Sequence, residues 1–132
     1  MTNRWDILEQ APRVDIGEVN SLLTRFVSYA VVKEKRKRWL ELAMKPDKLD
    51  TKFSDFWNSL DSSKGSEQQL LKLPNRDLIY HCMDESGYLL TAEQAALVGD
   101  GWDGFLFDVK GSAVYFLTHE NTYYAYKIPR QG

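Results

Sequence analysis

The run GFLFDVKGSAVYFLTHENTYYAYKI, residues 104–128, decides the fold class. It reads as three consecutive β-strands with turns at Lys110–Gly111 and Glu120–Asn121, and Pro129 closes it. If both turns are two-residue hairpins, Phe105, Phe107 and Val109 share a face with Val114, Phe116 and Ala125. The other face then carries Leu106, Asp108, Tyr115, Leu117, Tyr124, Tyr126 and Ile128. The first face suits a core. The second is rich in tyrosine, which contributes area, rigidity and a hydroxyl, and is enriched at protein interfaces. It is therefore expected to hold a docking surface built on Tyr115, Tyr124, Tyr126 and Asp108. The competing expectation is plain burial of that face under an N-terminal helix. The faces depend on register, and a three-residue Lys110–Ser112 loop would exchange them.

Upstream of this meander lies GDGWDG, residues 99–104, whose three glycines in six residues disfavour regular structure. Asp100, Trp102 and Asp103 of this loop join the candidate docking residues, the acids as complements to a basic partner. Before the loop, Thr91 and Gln94 form a capping box for a helix through Val98, with Gly99 as its stop. Residues 77–83 read as a strand, 84–87 as a turn and 88–90 as a return strand. Ser66 with Gln69 gives a weaker helix-start signal before Leu70, Leu71 and Leu73.

The N-terminal half is helical. The first dozen residues have weak periodicity and end at Pro12. Asp15 with Glu18 predicts a capped helix whose apolar face is Ile16, Val19, Leu23, Phe26 and Ala30. Continued at the same period, that face meets Lys33 and Lys37 and recovers at Leu40 and Met44. The helix therefore either kinks or lays those lysine stems along the core edge, and it stops before Pro46. Phe53, Phe56, Trp57 and Leu60 mark a short second helix, capped by Asp50 or Thr51. Helices followed mostly by strands predict one α+β domain over residues 1–132, with N-terminal helices on an antiparallel sheet.

Composition narrows the classes. At 132 residues, with 43% hydrophobic and 27% charged, the chain suits a single globular domain. Its apolar runs fall far short of a membrane span and its N-terminus lacks a signal-peptide pattern, so a cytoplasmic protein with no membrane partner is expected. One cysteine, Cys82, excludes an internal disulfide. Charge is uneven. Residues 33–38 (KEKRKR) carry a net +4 against −2 for the whole chain, so the remainder sums to −6. Lys33, Lys35, Arg36, Lys37 and Arg38, followed by Trp39, are the candidate nucleic-acid contacts in an alternative reading.

Catalytic signatures are weak. His81 and Cys82 are neighbours on a strand and point to opposite faces, so they do not pair. Cys82 and His119 would have to be brought together by the fold. Asp100, Asp103 and Asp108 lack the ligand spacing of a calcium loop. No phosphate-binding glycine loop or dinucleotide fingerprint is present. The expectation is therefore a protein without enzymatic activity, cofactor or metal. A small-ligand or enzymatic domain with a pocket between helices and sheet is the third class.

Residues 99–108 (GDGWDGFLFD), followed by Val114–Tyr115–Phe116 and His119–Glu120, resemble a stretch of the SUKH-type immunity family. That stretch has a Gly/Asp loop, a strand ending in Asp, and a strand leading to a His/Asp-Glu turn. The resemblance implies a bacterial α+β protein that neutralises a toxin by binding it. Occlusion would be the mechanism, and a second copy of the chain is the other protein partner considered.

Overall fold

The computed structural model describes residues 3–45, 53–61, 63–70, 72–81, 87–100, 102–118, 120 and 122–129. Three strands of the meander lie in a sheet: β5 (Gly104–Asp108), β6 (Ala113–Leu117) and β7 (Tyr123–Lys127). Four more complete it: β1 (Arg13–Val14), β2 (Gly65–Gln68), β3 (Leu78–His81) and β4 (Gly87–Leu90). The order is β1-β4-β3-β5-β6-β7-β2, and every pairing is antiparallel. The helices are α1 (Arg4–Gln10), α2 (Ile16–Ala30), α3 (Arg36–Ala43), α4 (Phe53–Asn58) and α5 (Ala92–Gly99), with a 3₁₀ turn at Lys33–Lys35. This is the expected α+β class. No helix of the described residues is long and apolar enough to cross a membrane.

The sheet is covered on both faces. Val19, Leu23, Phe26, Val27 and Ala30 of α2, Trp39 of α3 and Phe56 of α4 pack on Ile79, Phe105, Phe107, Val114, Phe116 and Tyr126. Ring contacts knit this layer: Phe26 meets Phe105 at 5.4 Å and Tyr126 at 5.2 Å, both edge to face. On the reverse face, Ile7 and Leu8 of α1 and Ala95 and Val98 of α5 cover Leu78, Tyr80, Tyr88, Leu90, Leu106, Leu117 and Tyr123. The chain from β2, at one edge, must reach β3 beyond β7, β6 and β5. Leu73 of that connection packs on the reverse-face core, and Arg76 Nε lies 3.6 Å from the Asp108 carboxylate. Residues 72–77 of this connection therefore strap the reverse face.

The β5–β6 register is the expected one, with Phe105 opposite Phe116 and Phe107 opposite Val114. The β6–β7 register is not. Phe116 pairs with Tyr124 and Val114 with Tyr126, one residue from the two-residue hairpin. Thr118 and Thr122 close this turn instead. The Thr118 N–H and hydroxyl both donate to the Thr122 carbonyl, and the Thr122 N–H donates back to the Thr118 hydroxyl. The loop is thus residues 119–121, of which 119 and 121 lie outside the described residues. One step of slip moves Tyr124 and Tyr126 to the helix-covered face and Ala125 to the reverse face.

Two helical expectations also change. The first long helix ends at Ala30, where the adjacent β-branched Val31 and Val32 leave helical geometry. Val31 bridges to Leu60, Val32 N–H donates to the Ser59 carbonyl at 2.9 Å, and Asp61 N–H donates to Ala30 at 2.6 Å. These bonds and Lys64 Nζ on the Tyr29 carbonyl (3.0 Å) satisfy groups that a helix end leaves open. Asp15 does cap α2, through the Gly17 N–H at 2.9 Å. Ser66 starts no helix: residues 65–68 form the edge strand against β7. The expected cap at Asp50 or Thr51 lies outside the described residues, as do residues 84–86 of the turn expected at 84–87 and the Phe53 and Trp57 side chains, and Gly87 opens β4.

Candidate protein-docking site

The tyrosine face expected from the sequence does not exist as one surface. Tyr126 is 2% exposed in the helix-side core, and burial pushes its hydroxyl up to about 12, with Tyr124 and Asp61 adding to the shift. Tyr124 packs half-buried at the edge of the same core. Burial, then Glu67, raises its pKa. Tyr115 lies on the reverse face beside the strap. Burial first and the Asp108 charge second raise its pKa, against the lowering effect of Arg76. Asp108 is buried and accepts from the Gly111 N–H at 3.0 Å. Tyr126 and Asp108 are therefore structural, and neither is offered to a partner.

The exposed aromatic surface lies at the other end of β5. Asn3 caps α1 by accepting from the Asp6 N–H at 3.0 Å, which fixes the helix start just before Arg4 and Trp5. Arg4 donates to the Val98 carbonyl at 2.6 Å and to the Tyr80 hydroxyl at 3.0 Å. Its guanidinium sits 4.2 Å from the centre of the Trp102 ring and 5.2 Å from those of Trp5 and Tyr80. Trp5 and Trp102 meet edge to face at 5.6 Å. Yet Trp5 is 57% exposed and Trp102 43%, with Leu97 of α5 at 58%. Asp6, Glu9, Glu93 and Asp100, on the same two helices and the following loop, are also exposed. Asp103 is half-buried, and its backbone carbonyl lies 3.5 Å from the Tyr80 hydroxyl.

Gly104 positions this loop. A β-carbon there would stand 2.9 Å from the His81 carbonyl oxygen and 3.1 Å from the Tyr80 ring, so only glycine lets β5 start this close to β3. Beneath the loop, Tyr123 is buried, and burial, then Asp100, raises its pKa.

The structure thus keeps Trp102, Asp100 and Asp103 together and separates them from Tyr115, Tyr124, Tyr126 and Asp108. It adds Arg4, Trp5 and Leu97, which sequence reasoning missed. The Asn3-to-Asp6 cap spacing was the available signal for α1. The three aspartates of the cation idea are likewise divided between the two ends of β5. No group of three or more His, Cys, Asp or Glu placed to hold a metal occurs among the described residues. His81 is buried and stacked on Phe105 at 6.4 Å, while Cys82 and His119 lie outside the described residues.

In the basic segment, Lys33, Lys35, Lys37 and Arg38 are exposed. Arg36 is partly committed, with Nε donating to the Val31 carbonyl at 2.8 Å. Trp39, which follows the basic run, is 1% exposed and donates to Ser59 Oγ at 2.8 Å. It belongs to the core.

Comparison of the chain with protein families, curated proteins and solved structures finds no match.

Proposed function

We propose that this protein is a non-enzymatic binding domain that docks a basic protein surface on the Trp5–Arg4–Trp102 platform. The carrying observation is the pair of half-exposed indoles clamped by one arginine. Rigid tryptophans lose little entropy on binding and serve as anchors. Exposed Asp6, Glu9, Glu93 and Asp100 supply the charge that a cationic partner complements. The resemblance of residues 99–120 to the immunity family makes a toxin inhibitor acting by occlusion the most concrete form of this reading.

The test is co-purification from the source cell with wild type, Trp5→Ala/Trp102→Ala and Tyr124→Ala forms. The reading requires a basic partner that the tryptophan variant loses while staying folded, and whose activity the wild-type chain suppresses. A partner retained by the tryptophan variant refutes it. A second reading rests on exposed Lys33, Lys35, Lys37 and Arg38: nucleic-acid binding on the opposite layer. It predicts steeply salt-dependent binding that disappears when these four are neutralised.

A further inference from the structure

We infer that the partner of the tryptophan platform anchors an aromatic side chain, and not a cation, on the outer face of Trp102, with lysines or arginines flanking that ring. This rests on the docking reading above and names the chemistry of the partner. The Arg4 guanidinium lies 4.2 Å from the centre of the Trp102 ring and 5.2 Å from that of Trp5, and the two ring centres are 5.6 Å apart. On opposite faces of Trp102, Arg4 and Trp5 would stand nearly the sum of their two distances apart. They are far closer, so both lie on one side of the Trp102 plane. The other face of this indole carries neither, and Trp102 is 43% exposed. The Trp102 backbone N–H donates to the Gly99 carbonyl at 3.3 Å, which ties the residue to the end of α5.

Arg4 decides what that outer face accepts. A bare indole face attracts cations. Here a guanidinium already lies beneath it, held in place by the Val98 carbonyl and the Tyr80 hydroxyl. A second cation on the outer face would be repelled through the thickness of one ring and lose much of what the indole offers. An aromatic side chain carries no charge, stacks on a ring whose electrons Arg4 draws inward, and buries area against Trp102 and exposed Leu97. The carboxylates take the cations instead. Asp6, Glu9, Glu93 and Asp100 are exposed, and among the described residues none of the four is part of an ion pair. Glu9 follows Trp5 by four residues on α1, and Glu93 precedes Leu97 by four on α5, so each acid stands one turn from an apolar group on the same helix face. Four carboxylates against one guanidinium leave this surface negative, which turns away the phosphates of a nucleic acid.

The test is NMR titration of the whole chain, read at the indole N–H signals, with three acetylated and amidated peptides: Lys-Lys-Tyr-Lys-Lys, Lys-Lys-Arg-Lys-Lys and Glu-Glu-Tyr-Glu-Glu. The tyrosine peptide with lysine flanks should move the Trp5 and Trp102 signals saturably and leave buried Trp39 unmoved. The arginine peptide should bind about fivefold more weakly. It carries the greater positive charge, so bulk attraction alone would rank it first. The glutamate-flanked peptide should give no saturable shift. Glu9→Gln/Glu93→Gln/Asp100→Asn changes only exposed side chains, so it should keep the fold and weaken the tyrosine peptide about tenfold. Equal or tighter binding of the arginine peptide overturns the aromatic anchor and leaves the docking reading standing. Undiminished binding of the tyrosine peptide to the triple variant overturns the role of the flanking cations. If neither basic peptide moves either exposed indole, the anchor and the docking reading fall together.

Discussion

Gly65 and Tyr126 face each other across the β2–β7 pair, and a β-carbon on Gly65 would lie 2.6 Å from the tyrosine ring. The missing side chain on the edge strand is the space the ring occupies. Alanine usually improves a strand glycine, because it restricts the unfolded chain. Here the sign should reverse: Gly65→Ala is expected to cost about 1–3 kcal/mol by overpacking, read from urea unfolding. An unchanged midpoint would mean that the ring moves aside freely.

Trp39 and Ser59 form a buried relay. The indole donates to Ser59 Oγ at 2.8 Å, and that hydroxyl donates to the Asp55 carbonyl at 2.7 Å. Ser59→Ala leaves a buried N–H without an acceptor and should cost about 1–3 kcal/mol. In Trp39→Phe/Ser59→Ala, the serine loss should add little to the cost of Trp39→Phe alone. Thermal unfolding of the single and double variants checks the coupling.

Alkali should loosen the fold through Tyr126. Its hydroxyl is raised from 10.0 to about 12 in the folded chain. The folded state thus holds this proton more tightly than the unfolded state. Its stabilising contribution is complete below pH 10 and is lost as pH rises towards 12. Tyr115, Tyr123 and Tyr124 shift in the same direction and add to the effect. Unfolding midpoints measured from pH 8 to pH 11 should fall in wild type and fall less steeply in Tyr126→Phe. Ultraviolet titration should show late-ionising phenols.

Arg4 ties α1 to α5 and to the sheet. Arg4→Met keeps the apolar stem and removes the Val98 and Tyr80 bonds with the ring contacts. It should cost roughly 1–3 kcal/mol and alter tryptophan fluorescence by freeing Trp5 and Trp102. Trp5→Ala alone should cost less, because more than half of that side chain is already in water. Equal losses would make the platform a piece of core.

Local patterns carried much of the architecture. The Phe105-to-Phe116 pairing, the Thr91–Gln94 capping box and the Asp15 cap were all legible, because each depends on residues close together in the chain. The Tyr124 and Tyr126 placement was not, because bonds from the Thr118 hydroxyl and N–H to the Thr122 backbone close a turn one residue longer. Periodicity also ran through Val31, where partners at Ser59 and Leu60 end the helix. The docking platform needs Arg4 beside Trp102, a neighbourhood created by packing α1 on α5. No spacing rule within either segment contains it.

The sheet holds the acid-bearing α1–α5 layer on one side and the lysine–arginine turn of α3 on the other. Such a molecule is electrically two-headed. On the two proposed readings, a visitor of either sign would be drawn to a different pole before any contact forms, and dissolved salt would shorten that reach to about 8 Å at physiological strength. Two visitors of opposite sign could occupy the poles together, back to back, with the hydrocarbon slab of the sheet separating their fields.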